Sequence, residues 1–337
     1  MKQKIGLRVD VDFAVGLNRG VPYLLDFFRE KHIQASFFVA MGPDRIRSHG
    51  VRVKRPNYLK RLRHFGLWNI LRRFGPAYLL KQLLGRSMKV GEGSPEILQR
   101  ILDEGHELGV HGYDHFWWAE NIWSATPAQV EADMRRAIEC FTRATGQAPE
   151  VWASPNWRCN DDTLKLIEEL DLSYGTDCRG SQPFIPTLQG RPSTKVQLPV
   201  SLPCLHEIKQ ALNTSSFHRI TGHLMSKLDP YYNVLCTHAY YEGILARKLF
   251  NSVVESLQRT GVQFVPMRQV FENLDTDRIP CCEMTKACTP GSIGVVNHQG
   301  EESRAKPRER RRTIRKVVGT QPGWGGLPGS PAQPAPS

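Results

Sequence analysis

The chain has no run of about 18 apolar residues, so nothing in it reads as a membrane-spanning helix. It shows no apolar leader: after Met1-Lys2-Gln3-Lys4 it enters Ile5–Phe13, a strand-like run that already carries Arg8, Asp10 and Asp12. Its eight cysteines (Cys140, Cys159, Cys178, Cys204, Cys236, Cys281, Cys282 and Cys288) form no paired C-x-x-C array. That excludes a zinc ribbon and leaves free thiols in a reducing cytosol as the expectation. The zincin pattern H-E-x-x-H is missing, because Gly112, Tyr113 and Asp114 separate His111 from His115. Acid is absent from one long stretch: residues 45–90 hold thirteen Lys and Arg and no Asp or Glu.

What remains is a chain of 337 residues, 40% hydrophobic, long enough to bury a sizeable core. Net charge is +12, concentrated in 45–90 and in a tail from Glu301 that has eight basic residues against three acids. Apolar, β-branched or aromatic runs recur at 4–12, 34–41, 106–112, 149–154, 172–177, 196–202, 233–239 and 262–267. Helical patterns lie between them at 21–31, 95–104, 127–145, 161–169 and 244–258. Thr126 before Pro127 and Gly146 after Thr145 mark the third most clearly. Strands alternating with helices predict a parallel α/β sheet, either open or closed into a barrel. Asp10, Asp12, His111, Asp177 and His238 collect at strand C-terminal ends, where such folds place their sites.

The segment 45–93 breaks the alternation and is far longer than an ordinary connection. Leu59, Leu62, Phe65, Trp68, Ile70 and Leu83 interleave with its basic residues, which predicts an amphipathic basic helical insertion. Two readings fit. The apolar face covers the barrel, or the segment lies on anionic lipid, where each basic side chain contributes about 1 kcal/mol. No nucleic-acid-binding motif accompanies the charge, so no nucleic-acid partner is expected. Residues 299–337, basic and then Pro/Gly-rich, read as a disordered tail after a domain spanning 1–298.

Chemistry concentrates in two pairs. Residues i and i+2 of a strand face one way, so Asp10 and Asp12 can share a space. His111 and His115 lie on one face if the chain turns helical after Val110. A carboxylate and two imidazoles fit an open metal site with a second carboxylate beside it as base. Residue type alone leaves the two carboxylates interchangeable. His238 closes an apolar run and is either a satisfied rim residue or a general acid. Arg158, after Trp157, is either a surface ion-pair partner or a group that holds a catalytic carboxylate.

This set, Asp10/Asp12, His111/His115, Trp157-Arg158 and His238, resembles the NodB-homology polysaccharide deacetylases (carbohydrate esterase family 4). Gly20-Val21-Pro22, Met41-Gly42-Pro43-Asp44, Asp177-Cys178-Arg179-Gly180 and Gln197–Pro203 narrow the resemblance. They are similar to the branch that deformylates formamido-arabinose on undecaprenyl phosphate in Gram-negative bacteria. The resemblance runs from about residue 4 to about 298. It implies a distorted (β/α) barrel with an amphipathic basic insertion and one divalent transition metal, Zn, Co or Mn. It implies Asp10 as general base, Asp12, His111 and His115 as metal ligands, and His238 as general acid. Arg158 then orients the base, and Asp177 and Trp157 lie behind the site, Asp177 tuning His238. The implied reaction is hydrolysis of a linear amide C–N bond, releasing formate and an amino-arabinose lipid for lipid A modification and resistance to cationic peptides such as polymyxin. The implied location is cytoplasmic, peripheral on the inner membrane, with 45–93 against an anionic lipid surface.

The sequence departs from the family pattern at Asn156, where related chains have Gly, and at Tyr240, where they have an acid. Two other functions compete: deacetylation of peptidoglycan or another N-acylated sugar, and non-catalytic docking on a membrane surface.

Overall fold

In a computed structural model of the chain, the described residues are 3–44, 88–275, 279–291 and 294–303. Twelve strands follow one another: β1 (Lys4–Val11), β2 (Ser36–Val39), β3 (Glu107–Val110), β4 (Val151–Trp152), β5 (Tyr174–Gly175), β6 (Ile185–Leu188), β7 (Arg191–Pro192), β8 (Val196–Gln197), β9 (Val234–His238), β10 (Gln263–Val265), β11 (Cys281–Cys288) and β12 (Val295–Glu302). Eight of them make one parallel sheet in the order β10-β1-β2-β3-β4-β5-β8, with β9 on the other edge of β1. These eight are the runs expected from the sequence. The sheet curls, and its ends meet where Leu202 N–H donates to Val234 O at 3.0 Å. The result is a distorted parallel barrel.

Strand alternation divides β1 between two environments. Ile5, Leu7, Val9 and Val11 are fully buried against the outer helices, in one cluster with Leu24, Phe28 and Phe250. Arg8 and Asp10 take the opposite face, toward the barrel interior, where Phe38, Val151, Tyr174, Val196, Leu198, Val234 and Cys236 form a second cluster. The outer helices begin where the sequence signals them. The helix Pro127–Thr145 has a capping box between Thr126 and Gln129 and ends at Gly146, φ 76°. Asn160 caps Asp161–Glu169.

A second sheet, β12-β11-β6-β7, was not expected. Its sequences explain why. β11 and β12 are polar and largely half-exposed, and β6 carries Pro186, so neither alternation nor an apolar run marks them. β12 runs to Glu302, four residues past the domain limit of 298 expected from the sequence. It is tied to the barrel by Arg179 N–H to Asn297 O (2.9 Å) and Gln299 N–H to Arg179 O (2.7 Å). The tail from 304 lies outside the described residues, as does the basic insertion from 45 to 87. The insertion's two ends lie side by side, Asp44 N–H donating to Met88 O at 2.7 Å. Among the described residues no helix is long and apolar enough to cross a membrane.

One close approach locks the strand exits that carry the site. A turn at Gly16–Gly20, after β1, packs on a turn at Tyr241–Leu245, after β9. A Cβ on Gly20 would stand 2.0 Å from Ala239 O, and one on Gly243 2.7 Å from Gly20 Cα. Gly20→Ala should therefore cost about 1–3 kcal/mol, the usual penalty of overpacking. Urea unfolding measures it, and an unchanged midpoint would remove this contact from the forces holding the two exits together.

Candidate active site

The pocket is built from the carboxyl ends of the barrel strands outward. Asp10, near the end of β1, is buried, and its carboxylate receives a two-pronged guanidinium: Arg8 Nε to Oδ1 at 2.6 Å and Nη2 to Oδ2 at 2.8 Å. Arg8 is 0% exposed. Its remaining nitrogen donates to Thr176 O and to Thr176 Oγ1, which ties β1 to the residue after β5 across the barrel. Burial alone would raise the Asp10 carboxyl, but Arg8 beside it, together with His111 and His238, holds it below its ordinary range. The Cys236 thiol also approaches, Sγ lying 3.4 Å from Asp10 Oδ2. Arg8 carried no role in the sequence reading. Its position two residues before Asp10, on the same strand face, was the available signal.

Asp12, His111 and His115 converge. Asp12 Oδ1 is buried, has no hydrogen bond, and lies 3.4 Å from His111 Nε2 and 3.5 Å from His115 Nε2. His111 Nδ1 is 2.8 Å from Ala153 O, which assigns the proton to Nδ1 and turns the Nε2 lone pair inward. Burial draws His115 down to about 4, so its ring is neutral near pH 7 and able to ligate. A bare carboxylate oxygen between two imidazole nitrogens, all buried, suits a divalent cation. The donors fit the expected metal.

The histidines do not meet as a helical i,i+4 pair. His111 follows β3, Gly112 takes φ +75°, and the helix begins only at His115, capped by Asp114, whose Oδ1 accepts from Trp117 N at 3.0 Å. Asp133 fixes that turn by accepting from Tyr113 N (2.9 Å) and Asp114 N (3.0 Å). The left-handed glycine, not helical periodicity, folds the two rings together.

His238 ends β9 directly opposite Asp10 in the register. It, Asp10 and Cys236 offer atoms within 4.8 Å of one another. Trp157 stands edge-on to its ring, centroids 6.1 Å apart. Asn156 and Trp157 both adopt positive φ, 55° and 49°. Asn is the side chain that best tolerates the left-handed region, which accounts for its standing where related chains carry Gly. The acid expected two residues after His238 is replaced by Tyr240, which packs on Phe13 (5.3 Å) and His238 (5.7 Å). Glu242 supplies a carboxyl instead, accepting the His238 backbone N–H at 2.7 Å.

Two expected roles move. Arg158 does not hold Asp10; it donates to Val295 O (3.1 Å) and Ala119 O and lies 4.6 Å over Trp123. It clamps β12 to the helix that begins at His115, and Arg8 takes the place expected for it. Asp177 does not engage His238. It accepts from Ser154 N (2.8 Å) and Gln197 Nε2 (2.7 Å), so it fixes the loop leading to Trp157.

Comparison with known proteins follows the same outline. Residues 3–175 match the model of the polysaccharide deacetylase family. A chain of Shewanella sediminis (strain HAW-EB3), named a probable 4-deoxy-4-formamido-L-arabinose-phosphoundecaprenol deformylase ArnD, is 31% identical over 88% of this chain and 94% of its own length. A chain of the same name from Wigglesworthia glossinidia brevipalpis is 25% identical over 85% of this chain and 98% of its own. In structure, a protein of Mycobacterium smegmatis described as a polysaccharide deacetylase superposes with a TM-score of 0.57 at 18% identity, covering 86% of this chain and 95% of that one. That likeness concerns the fold.

Glu242 yields a test of the pocket's electrostatics. Burial pushes its carboxyl up to about 8. Unfolded, it would titrate near 4.3. The folded chain therefore holds a proton that the unfolded chain releases, and this group's contribution to stability falls as pH rises from about 4.3 to about 8. Glu242→Gln should flatten the dependence of unfolding free energy on pH in that window. An unaltered slope in urea titrations would contradict the burial argument.

Proposed function

The chain belongs to the polysaccharide deacetylase family, and from that premise we propose that it hydrolyses the N-formyl amide of 4-deoxy-4-formamido-L-arabinose carried on undecaprenyl phosphate. The substrate is supported by the match along 94% of a deformylase. The chemistry is supported by one observation above others: of the two carboxylates, only Asp10 is gripped by Arg8, while Asp12 faces His111 and His115.

That difference assigns roles the residue types left open. A divalent ion, Zn, Co or Mn, held by Asp12, His111 and His115 would supply Lewis acidity to the water and the formyl carbonyl. Asp10, anionic and oriented by Arg8, takes a proton from the water. The water oxygen adds to the formyl carbon, the C–N bond breaks, and His238 gives a proton to the departing sugar nitrogen. Formate and the free amine leave. Trp157 and Tyr240 hold the His238 ring, so its proton is delivered from a fixed direction. Undecaprenyl phosphate is a lipid, so the enzyme works at a membrane surface, and the basic insertion is the segment suited to meet anionic headgroups. The site's completeness argues against a purely docking role. Deacetylation of another N-acylated sugar would use the same residues and differs in the acyl group and in the sugar that carries it.

Formate release from the formamido-arabinose lipid, with protein stripped of metal and reloaded with each ion, tests this reading. Activity lost on stripping and restored by one of the three ions is expected. Faster hydrolysis of an N-acetyl analogue than of the N-formyl substrate would turn the assignment to a deacetylase. Asp10→Asn should abolish turnover while metal binding, followed by calorimetry, persists; substantial activity would sink the base assignment. Arg8→Lys keeps the charge but not the two-pronged grip, and should lower kcat by about tenfold or more. A wild-type kcat in that variant would mean that orientation of Asp10 is immaterial.

A further inference from the structure

We propose that Cys204, His206 and His238 form a second metal site, selective for soft divalent ions such as cadmium, and that filling it stops hydrolysis. The inhibitory half rests on the assignment of His238 as proton donor. The Cys204 thiol and a nitrogen of each ring lie within 4.8 Å of one another. The two imidazoles stand with centroids 5.1 Å apart at 76°. Cys204 is fully buried, and His238 Nδ1 is buried with no hydrogen-bond partner.

The local backbone fixes these donors. Cys204 immediately precedes the helix Leu205–Ala211, and its N–H donates to Glu207 Oε2 at 2.8 Å, so the thiol and His206 project from a rigid first turn. Bonds of about 2.3 Å to sulfur and about 2.0 Å to nitrogen place tetrahedral donors about 3.5 Å apart, which small side-chain rotations achieve. Burial pushes the Cys204 thiol up, and Arg179 Nη1, 3.8 Å from the sulfur, offsets part of that, so the incoming ion itself displaces the thiol proton. The Arg179 charge is offset by Glu207 at 3.1 Å, which lessens repulsion of an incoming cation.

A thiolate and two imidazoles are softer than the Asp12 set, so the two sites sort ions by type. On binding, the Cys204 proton leaves to solvent, sulfur and both rings donate electron pairs, and an open position takes water. His238 then has its lone pair committed to the ion and cannot become an imidazolium; the N–H left on its other nitrogen is too weak an acid to protonate the leaving amine.

The experiment uses the full chain with exposed Cys288 replaced (Cys288→Ser), loaded with manganese and titrated with cadmium. Three quantities are followed: the thiolate-to-cadmium absorption, manganese retention by electron paramagnetic resonance, and formate release. The expected result is one equivalent of cadmium with the thiolate band, manganese retained, and hydrolysis lowered about a hundredfold, the factor a general acid contributes. Cys204→Ser and His206→Ala should turn over normally without cadmium. Cys204→Ser should lack the band, and both should escape inhibition. No band in the parent, a band that survives Cys204→Ser, or manganese released in step with cadmium uptake would overturn the site. The two readings fail separately: full hydrolysis by His238→Gln would sink the proton-donor role and the inhibition with it, whereas a missing band would sink the site alone.

Discussion

The guanidinium of Arg8, sealed inside the barrel, is the constraint around which the site is organised. It meets both oxygens of Asp10 and reaches Thr176 on the far side of the sheet. A charge in that position is tolerable only when paired, since removing one partner of a buried pair typically costs about 3–5 kcal/mol. The pairing therefore does two things at once. It ties β1 to the residue after β5 across an otherwise largely apolar interior, and it neutralises Asp10 without a second cation.

The opposite wall depends on strain held in place by neighbours. Asn156 and Trp157 occupy left-handed backbone, a conformation that persists only where surroundings over-determine it. Asp177 supplies part of that restraint from below through Ser154 N. Arg158 supplies another part by joining Val295 O of β12 to Ala119 O. The second sheet is thus a brace for the loop that sets Trp157 against His238. Its strands send only a few side chains, among them Ile185, Cys281 and Val296, into the core, and their polar remainder suits that bracing role.

Much of this was legible in the sequence where one physical signal dominates. The eight barrel strands are buried on both faces and read as apolar runs, and Thr126, Pro127 and Gly146 mark a helix unambiguously. The cluster of Asp10, Asp12, His111, His115 and His238 was legible because acids and histidines are conspicuous at strand ends, while its division into roles came from the family resemblance. Arg8 was not, because an arginine inside an apolar strand has no common reading without knowing what it faces. Arg158 was misassigned for the converse reason: its neighbour in sequence, Trp157, lines the pocket, while positive φ at Asn156 and Trp157 reverses the chain and sends the next side chain outward. The polar sheet left no periodicity to find.

Charge balance then distinguishes Asp12 from Asp10 as the carboxylate suited to a cation. Arg8 neutralises Asp10. Burial keeps His115 neutral, and His111 carries its proton on the Ala153 side. Asp12 is left with no cationic side chain in hydrogen-bonding contact, and its Oδ1 with no hydrogen bond. A buried carboxylate in that state costs several kcal/mol unless a cation joins it. The two imidazole lone pairs beside it give a divalent ion its remaining protein donors. Asp10, already paired with Arg8, offers no such unneutralised charge. One arginine, two residues upstream of Asp10 on the same strand face, is thus enough to give two chemically identical side chains different electrostatic surroundings.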